Sequence, residues 1–348
     1  MTSADSLIGL VNPQPNSTIM IYDVHASESG ALAILDDLYK QIRNYSDKSV
    51  KWVFIVSTPE YEETKEITVR RFPWVKRNWG YRYYFDTVTT RKLLKEFKPD
   101  KVFSLQNKGI DFYKKEQLVY LHLPFILTDH KFDIKVDGKK LWAYQNIISK
   151  SIFKSLRKVD MTIVQTEWMK EALVKKAGVN TDKIVVQQPD IKCNDIKDFV
   201  DCPENRKRIF YPATAFTYKN HSTLLKALRY ATENGLKDYE VIFTTRPDEN
   251  AYTQNLYKYA TEHNLNVKFN GLIPREKVFE MYARSVLVFP SYVESFGLPL
   301  LEAKLSGTYI MASDTPFCHE ILDGYDKAKF FEELDYLCLG KLLLELGA

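Results

Sequence analysis

The sequence predicts an α/β protein in which two doubly wound parallel-sheet domains follow one another along the chain. Short apolar runs alternate with longer amphipathic stretches, which is typical of strands and crossover helices in a parallel sheet. The alternation is interrupted once, at residues 187–208, a polar stretch with two prolines and little hydrophobic periodicity. A length of 348 residues also favours two domains. We therefore predict one domain at residues 1–190 and a second at residues 191–348.

The first half contains five short apolar runs that predict buried strands. These strands are expected at residues 18–24, 52–57, 101–105, 118–123 and 161–166, with helices at 31–42 and 88–97. The second half repeats this order. Its strands are expected at 208–214, 240–245, 266–271, 286–291 and 308–313, and its helices at 222–235, 275–285 and from about residue 299. Such sheets bind ligands beyond the carboxyl ends of their strands, so two domains facing each other would form a cleft.

The composition is that of a globular protein, with 45% hydrophobic residues, 27% charged residues and a net charge of +4. This mild charge neither requires nor excludes a polyanionic partner. The cysteines share no metal-ligand spacing, and a reducing cytosol suits them best: Cys193, Cys202, Cys318 and Cys338. The N-terminus lacks a signal-peptide pattern, and no apolar run approaches the roughly 18 residues of a membrane-spanning helix. We therefore expect a cytoplasmic protein that is soluble or lies on a membrane surface.

Two glutamates, Glu294 and Glu302, stand eight positions apart in the stretch FPSYVESFGLPLLEA. A strand precedes them, and Pro299 suits the first position of a helix. Glu294 is therefore expected on the strand-to-helix loop and Glu302 in the first helical turn. Carboxylates in these positions can accept hydrogen bonds from the hydroxyl groups of a ligand. From this stretch alone an alternative stays open, in which Glu302 caps its own helix and Glu294 is a solvated loop residue.

The start of the same helix predicts an anion site. The N–H groups of Phe296, Gly297 and Leu298 would have no helical acceptor and would lie at the positive end of the helix dipole. Phosphate is the usual ligand of such a terminus, and Gly297 lets the backbone approach it closely. The stretch as a whole predicts a site for a phosphorylated ligand that is rich in hydroxyl groups.

A lysine at a second strand-to-helix turn supports this prediction. In residues 209–228 a strand is followed by a short loop, by Lys219-Asn220-His221 and by an amphipathic helix. Lys219 could meet a diphosphate as a point charge. The alternative is an ordinary solvated lysine, but Lys219 lies in the same predicted domain as Glu294.

Taken together, these motifs resemble the family 4 (group 1) glycosyltransferases, retaining enzymes whose GT-B fold contains two Rossmann-like domains. The most specific element is the pair of glutamates separated by seven residues in PSYVESFGLPLLEAKLSG. Further elements are VDMTIVQTEWMKEAL (159–173), LVYLHLPF (118–125), YKNH (218–221) and VKFNGLIPREKVFEMYARS (267–285). The resemblance covers most of the chain.

The resemblance implies a role for each of these positions. Glu294 would hold hydroxyls of the donor sugar, Glu302 the ribose of its nucleotide, and Lys219 the departing diphosphate. The donor-binding set implied is Gly30, Thr214, Lys219, Arg246, Leu272, Ile273, Glu294, Ser295, Phe296, Gly297, Leu298 and Glu302. Within this set, the backbone near Leu272 and Ile273 would contact the edge of the nucleotide base. The backbone amides of residues 296–298 would contact the sugar or the phosphate. The catalytic set implied is His122, Lys219 and Glu294.

Two of these positions differ from the pattern of the family, and a third has a second interpretation. The family's glycine pair after the first strand is Ser29-Gly30 here. Members of the family often have an arginine five residues before the lysine that corresponds to Lys219, and this position is Thr214 here. The second positive charge that would neutralise the phosphates therefore either comes from Arg246 or is missing. His122 follows a first-domain strand, where a lone histidine is commonly structural. The resemblance places a histidine in this position close to the sugar and the acceptor.

Two basic stretches predict a surface for the acceptor. Residues 69–84 contain five basic residues, six aromatic residues and no acid, and residues 139–158 add six basic residues at helical spacing with apolar ones. A basic amphipathic surface with tryptophan at its edge fits an anionic membrane. The residues of this predicted surface are Arg71, Trp74, Lys76, Arg77, Trp79, Arg82 and Trp142. The alternative is a helix that faces the core; nucleic acid is not expected, since no RNA-binding motif accompanies these stretches.

The resemblance implies transfer of a sugar from a nucleoside-diphosphate sugar to an acceptor hydroxyl, with retained anomeric configuration. The acceptor expected is a saccharide, such as one linked to polyprenyl diphosphate in O-antigen, capsule or exopolysaccharide synthesis, at the inner face of the cell membrane. We take a UDP-sugar as donor because UDP is the commonest carrier. We expect no metal or other cofactor, since no Asp-x-Asp cluster is present. A non-catalytic sugar-nucleotide-binding module and a GT-B epimerase or phosphorylase remain as alternatives.

Overall fold

A computed structural model of the chain describes residues 6–27, 29–189 and 196–347. The chain divides into two compact units. Unit 1 contains Met1–Leu127 and Ala143–Pro189, and unit 2 contains Thr128–Trp142 and Asp190–Ala348. Residues 128–142 therefore belong to unit 2, although residues of unit 1 flank them on both sides in the sequence.

Unit 1 is built on a seven-stranded sheet in which every pairing is parallel. Its strand order is β3-β2-β1-β4-β5-β6-β7. The strands are β1 (Thr18–Asp23), β2 (Lys51–Val56), β3 (Ile67–Arg71), β4 (Lys101–Ser104), β5 (Glu116–Tyr120), β6 (Met161–Val164) and β7 (Ile184–Val186). The five strands predicted in this half are confirmed to within a few residues. Strands β3 and β7, at the two edges, were not predicted.

Unit 2 is built on a six-stranded parallel sheet with the order β10-β9-β8-β11-β12-β13. Its strands are β8 (Arg208–Tyr211), β9 (Glu240–Phe243), β10 (Val267–Phe269), β11 (Val286–Phe289), β12 (Ile310–Ser313) and β13 (Ala328–Phe331). The five strands predicted here are confirmed, and β13 was not predicted. The α/β prediction with two parallel-sheet domains is therefore correct.

Fourteen α-helices accompany the sheets in the described part of the chain. They are α1 (Leu7–Val11), α2 (Ser29–Arg43), α3 (Trp79–Tyr84), α4 (Thr90–Phe97), α5 (Gly138–Ala143), α6 (Ser149–Leu156), α7 (Glu167–Ala177), α8 (Pro203–Arg206), α9 (His221–Glu233), α10 (Ala251–Glu262), α11 (Arg275–Tyr282), α12 (Leu298–Leu305), α13 (Pro316–Leu322) and α14 (Tyr336–Gly347). A π-helical turn, Phe85–Thr89, joins α3 to α4. A second π-helical turn, Tyr144–Ile148, precedes α6.

The inner strands of unit 1 are buried on both faces, which explains why they read as continuous apolar runs: β1, β2, β4, β5 and β6. In β1, Ile19 and Ile21 pack into a core covered by α1 and α2. Met20 and Tyr22 point to the opposite face, where Phe85 and α4 cover them. Because successive side chains of a strand alternate between faces, one strand contributes to both cores.

The second basic stretch has its apolar side turned toward a core. Ile152 and Leu156 of α6 are buried with residues of β5 and β6, and Ile148 packs against the same cluster. Along this part of residues 139–158 the structure therefore agrees with the alternative of a core-facing helix. Its lysines lie on the solvated side of that helix.

Candidate functional site

The order of the strands fixes where a ligand site can form in unit 2. Strands β8 and β11 are neighbours in the sheet, with Val286 opposite Ile209 and Leu287 opposite Phe210. From this pair the chain proceeds outward in both directions, so that β9 and β12 lie on opposite sides. Loops that leave the carboxyl ends of such a pair diverge and leave a crevice, where ligands of α/β proteins bind. The loop after β8 carries Lys219 and the loop after β11 carries Glu294.

Lys219 and Glu294 meet at this point. Lys219 Nζ forms an ion pair and hydrogen bond with Glu294 Oε1, and each side chain is only 15% exposed. Ser291 Oγ donates a second hydrogen bond to the same oxygen at 2.7 Å. Since removal of either charge would leave the other desolvated and unpaired, the pair is a strong constraint on both loops. Glu294 is not the solvated loop residue of the alternative interpretation.

Asn220 locks the two loops together. It is buried in the left-handed backbone region, with φ of 57°. Its Nδ2 donates to the carbonyls of Pro290 at 3.1 Å and Glu333 at 2.7 Å, while Oδ1 accepts from Thr223 Oγ1 at 2.8 Å. Asparagine tolerates this backbone conformation better than most residues. Sequence reasoning missed this role, although the residue stands next to Lys219.

His221 has no catalytic character in this setting. It is fully buried against the rings of Tyr211, Phe243 and Tyr252, at centroid distances of 4.8, 4.9 and 6.0 Å. Neither ring nitrogen has a hydrogen-bond partner among the described residues. Burial, with a smaller effect of the nearby Lys219 charge, lowers the pKa of His221 to about 3. The ring is therefore neutral and packs as an aromatic side chain.

The start of α12 has the geometry expected of an anion site. Gly297 is the N-cap, with φ of 95° and ψ of 52°, and Pro299 occupies the first turn. A Cβ at this glycine would lie 3.2 Å from Leu300 Cδ1 and would need a backbone conformation that other residues rarely adopt. Phe296 is buried and Leu298 exposed. The first N–H groups of the helix lack intrahelical acceptors and are available to a ligand.

Glu302 is the fifth residue of α12, one position beyond the predicted first turn, and it is buried. Its side chain is 3% exposed, and Oε1 lies 2.6 Å from Nη2 of Arg275 at the start of α11. Tyr282 donates its hydroxyl to Oε2 at 3.0 Å. Burial raises the pKa of Glu302, and Arg275 and Tyr282 oppose that shift. Since both partners belong to α11, Glu302 does not cap its own helix, and that alternative is wrong.

Apart from Gly30, the remaining donor candidates lie on loops. In unit 2, Thr214 is exposed and Leu272 is 95% exposed, while Ile273 is partly exposed. Arg246 is exposed and lies 3.7 Å from Asp248, and its stem passes Gly271 so closely that a Cβ there would lie 2.9 Å from Arg246 Cγ. Ser295, beside Glu294, is partly exposed. Gly30 belongs to unit 1, where it is the second residue of α2 and a Cβ would meet nothing within 4 Å.

His122 lies beyond β5 at the corresponding edge of unit 1. Its backbone N–H donates to Asn107 Oδ1 at 2.8 Å, and Nε2 lies 3.4 Å from Asn107 Nδ2. Nδ1 is shielded from solvent and has no hydrogen-bond partner among the described residues. Burial lowers the pKa of His122 to about 4, so the imidazole is neutral at pH 7. Asn107, which follows β4 with φ of 64°, was not predicted as its partner.

The predicted acceptor surface divides into solvent-facing and anchored residues. Trp79 is 76% exposed on α3, and Arg77 lies 5.9 Å from the ring of its neighbour Tyr81. Trp74 packs against Phe85. The anchored residues are Arg71, which pairs with Glu60, Lys76, which donates to the His25 carbonyl, and Arg82. Trp142 belongs to unit 2.

Arg82 differs from the rest of this set. Its side chain is 17% exposed; Nε donates to Asp86 at 2.8 Å and Nη2 donates to Gln106 Oε1 at 2.9 Å. Gln106 follows β4 and precedes Asn107, the partner of His122. The guanidinium therefore lies at the same edge of the unit 1 sheet as His122.

Two absences concern the described residues alone. Within residues 6–27, 29–189 and 196–347, no three His, Cys, Asp or Glu side chains cluster in a way that could hold a metal ion. In the same part of the chain, no helix combines the length and apolar character that crossing a membrane requires.

Comparison with protein families decides the class of this chain. A family model described as glycosyl transferases group 1 matches residues 194–334, which carry Lys219, Glu294 and Glu302. A second, described as glycosyltransferase family 4, matches residues 44–189, which carry His122. The chain belongs to the group 1, family 4 glycosyltransferases. The resemblance deduced from the two glutamates is thus correct at the level of the family.

One curated relative of this glycosyltransferase is the O-antigen chain mannosyltransferase RfbU of Salmonella typhimurium. The two are 23% identical over 221 residues, which are 61% of this chain and 60% of RfbU. The match therefore spans less than two thirds of the relative's length.

Several solved structures, among them glycosyltransferases, share the fold. WaaG, a glycosyltransferase involved in lipopolysaccharide biosynthesis, superposes with a TM-score of 0.67 at 15% identity, over 94% of this chain and 90% of WaaG. HepE from Anabaena, in complex with UDP-glucose, gives 0.66 at 14% identity, over 94% of this chain and 88% of HepE. A glycosyltransferase from Rickettsia africae gives 0.64 at 13% identity, over 94% and 87%. This glycosyltransferase therefore has the GT-B fold.

Proposed function

We propose that this protein transfers a sugar from a nucleoside-diphosphate sugar to a hydroxyl group of a saccharide acceptor, with retention of the anomeric configuration. The observation that carries the proposal is the pairing of Lys219 with Glu294 where β8 and β11 diverge. A cation, a hydroxyl-binding carboxylate and the N-terminus of α12 follow these two strands. A donor that contains both a diphosphate and a sugar needs this combination.

In the proposed complex unit 2 binds the donor. Lys219 and the first N–H groups of α12 stabilise the diphosphate, Glu294 accepts hydrogen bonds from sugar hydroxyls, and Glu302 accepts them from the ribose. The backbone near Leu272 and Ile273 contacts the edge of the nucleotide base. Arg246 supplies a second positive charge for the diphosphate. Ser295 and Thr214 line the same loops. Gly30 of unit 1 is proposed as a donor-binding residue from the resemblance to the family alone. We take UDP as the carrier, since HepE was solved with UDP-glucose.

The proposed reaction breaks the bond between the anomeric carbon and the diphosphate oxygen and forms a bond from that carbon to the acceptor oxygen. Negative charge develops on the leaving diphosphate, where the preorganised Lys219 ammonium stabilises it without reorganisation. A double displacement would need a free carboxylate at the anomeric carbon. Glu294 already binds Lys219 and Ser291. We therefore favour a route on one face of the sugar, in which a leaving-group oxygen accepts the acceptor proton.

Unit 1 is proposed to bind the acceptor. His122 is neutral at pH 7 and keeps one unpartnered ring nitrogen, which suits a hydrogen bond with a hydroxyl group of a sugar. Trp79 and Tyr83 are largely exposed on α3, which follows the basic residues Arg70, Arg71, Lys76 and Arg77 in the sequence. Aromatic and basic side chains in such an arrangement suit an anionic membrane surface.

The proposed acceptor is a lipid-linked saccharide of a cell-surface polysaccharide, and the protein would act at the cytoplasmic face of the membrane. The relative RfbU, an O-antigen chain mannosyltransferase, supports this class of acceptor and hexosyl transfer. The likeness to WaaG, a glycosyltransferase involved in lipopolysaccharide biosynthesis, supports this class of acceptor as well.

The proposal is tested by thermal stabilisation against UDP, GDP, dTDP and their sugars, with wild type beside Glu302→Gln. A ligand at 100 times its dissociation constant stabilises the folded state by about 2.7 kcal/mol. We expect one nucleotide to raise the Tm of wild type and this shift to shrink in Glu302→Gln, which keeps the shape of the side chain. Absence of any shift with every nucleotide would contradict the proposal.

Turnover separates the transferase from its alternatives. Donor consumed with an acceptor saccharide, with a one-bond C1–H1 coupling in the product that indicates the same anomer as in the donor, identifies a retaining transferase. A new sugar nucleotide formed without acceptor would identify an epimerase. Donor binding without turnover with any acceptor would identify a binding module.

A further inference from the structure

Residues 128–137, which we call the strap, contact the loop that carries Glu294. The strap belongs to unit 2 but comes from a distant part of the sequence, between two segments of unit 1. No motif of the sequence pointed to a role for it. Its contacts concern Tyr292, two residues before Glu294, and Glu333, whose carbonyl holds Asn220 beside Lys219.

The first contact is an aromatic stack. The ring of His130 lies on that of Tyr292 with a centroid distance of 4.2 Å and an interplanar angle of 29°. His130 also makes an edge contact with the buried Phe132, at a centroid distance of 5.3 Å. Tyr292 therefore packs against a ring that a second residue of the strap contacts.

The second contact is a hydrogen bond to the Tyr292 hydroxyl. Tyr292 donates it to Asp137 Oδ1 at 2.9 Å. The other oxygen of Asp137 accepts the backbone N–H of Asp133 at 2.9 Å, and the N–H of Asp137 donates to the Asp133 carbonyl at 2.8 Å. The carboxylate is thus oriented by the turn of the strap before it meets the tyrosine.

The third contact reaches the lysine side of the pair. His130 Nδ1 lies 3.4 Å from Glu333 Oε2. The carbonyl of Glu333 accepts from Asn220 Nδ2, and Asn220 immediately follows Lys219. One residue of the strap therefore touches a support of each partner in the Lys219–Glu294 pair.

Two hydrogen bonds connect Tyr292 and its neighbour Ser291 to the loop after β8 and to Glu294. Its backbone N–H donates to the Tyr218 carbonyl at 3.2 Å, which ties the loop after β11 to the loop after β8. The preceding residue, Ser291, donates to Glu294 Oε1 at 2.7 Å. A shift of the Tyr292 ring would move both of these groups.

We propose that the strap is a positioning element for the reaction, in which His130 and Asp137 fix Tyr292 and thereby set the geometry of Glu294 and Lys219. His130, Asp137 and Tyr292 act through the pair and are not themselves catalytic residues. The inference rests on the proposed function, because Glu294 must hold the donor sugar for its position to matter. Misplacing a positioned group by about 1 Å can cost as much as 100-fold in rate.

The test compares full-length variants by kcat for donor turnover and by the dissociation constant of UDP, measured by calorimetry. His130→Ala removes the stack and the contact with Glu333, and Tyr292→Phe removes the hydroxyl alone. We expect each to lower kcat by about 10- to 100-fold, while the dissociation constant of UDP changes by less, since UDP meets Lys219 but lacks the sugar that Glu294 holds. Destabilisation of the whole unit would weaken UDP binding as much as it lowers kcat.

Conservative variants sharpen the comparison. Asp137→Asn retains a side-chain oxygen for the Tyr292 hydroxyl and is expected to keep more activity than Asp137→Ala. His319→Ala is the matched control, because His319 also stacks on a ring, Phe330 at 4.1 Å, and pairs with a carboxylate, Asp314 at 2.6 Å. It should leave kcat unchanged. If His130→Ala does not fold, the kcat values of Tyr292→Phe and Asp137→Ala test the proposal in its place.

Two results would overturn the inference. The first is wild-type kcat in folded His130→Ala and Tyr292→Phe, while Glu294→Gln is inactive; the proposed function would then stand without the strap's role. The second result concerns the case in which wild type turns over no donor and the proposed function fails. Amide hydrogen exchange of residues 291–297 then decides, and exchange no faster in His130→Ala than in His319→Ala would contradict positioning.

Discussion

Lys219 and Glu294 form an ion pair although 75 positions separate them in the sequence. They meet because their loops leave β8 and β11, which are neighbours in the sheet but not in the chain. The pair fixes a cation in the loop that follows β8, against the loop that leads from β11 to α12. Each partner also neutralises the other in a place that solvent scarcely reaches.

Replacement of the lysine tests its role in stabilising the leaving group. In Lys219→Ala we expect kcat for donor turnover to fall on the order of 10²–10³-fold, the typical loss for one preorganised group at a developing charge. The matched control is Lys226→Ala, on the exposed side of α9. A loss confined to the dissociation constant of the donor, with kcat intact, would assign Lys219 to binding only.

Two glycines give opposite predictions for stability. Gly297→Ala places a Cβ in a left-handed backbone position, and we expect the free energy of unfolding to fall by about 1–2 kcal/mol. Gly30→Ala, near the start of α2 with open space around its Cα, should leave it unchanged or raise it by up to about 1 kcal/mol. Urea unfolding measures both. Equal effects would show that the φ of 95° at Gly297 is not the constraint.

The lowered pKa values of His221 and His122 predict that the folded state loses stability in acid. Burial lowers the pKa of His221 to about 3, whereas the unfolded chain has the ordinary value of about 6.5. Between these values the unfolded state binds a proton that the folded state does not, so the free energy of unfolding falls as pH decreases through this window.

In His221→Phe this slope should flatten by up to about 1.4 kcal/mol per pH unit, while the slope from His122 remains. The measurement is urea unfolding at a series of pH values between 4 and 7. An unchanged slope in His221→Phe would show that His221 does not titrate as a buried residue.

Arg275 is expected to stabilise Glu302 in its ionised form. In Arg275→Ala the buried carboxylate loses the guanidinium 2.6 Å away, and its pKa should rise further. The ionised form is then penalised, so the variant should lose more stability at pH 8 than at pH 5, where more of the carboxyl is protonated. Thermal unfolding at the two pH values checks this. A loss independent of pH would mean that Arg275 acts by packing, for instance on Phe279.

The pattern of hydrophobic residues predicted every strand that is buried on both faces. The strands it missed lie at the sheet edges and are short or partly polar: β3 (ITVRR), β7 (IVV) and β13 (AKFF). Edge strands need less apolar surface, because only one side of them is paired. Local periodicity therefore carries little information about them.

The glutamate motif identified the two carboxylates, but not what holds them. Arg275 and Tyr282 reach Glu302 from another helix, and Asn220 reaches Pro290 and Glu333 from another loop. These contacts depend on the packing of distant segments. The same applies to Arg82, whose basic character suggested an open surface, although its guanidinium is anchored by Asp86 and Gln106.

The membership of residues 128–142 in unit 2 has a consequence for work on that unit in isolation. A polypeptide that begins at residue 190 would lack Asp137, the partner of the Tyr292 hydroxyl, and His130, whose ring stacks on Tyr292. Such a fragment would expose more of Tyr292, which is 5% exposed in the whole chain. An isolated unit 2 that keeps these contacts needs residues 128–142 added back, either as a separate peptide or fused through a circular rearrangement of the chain.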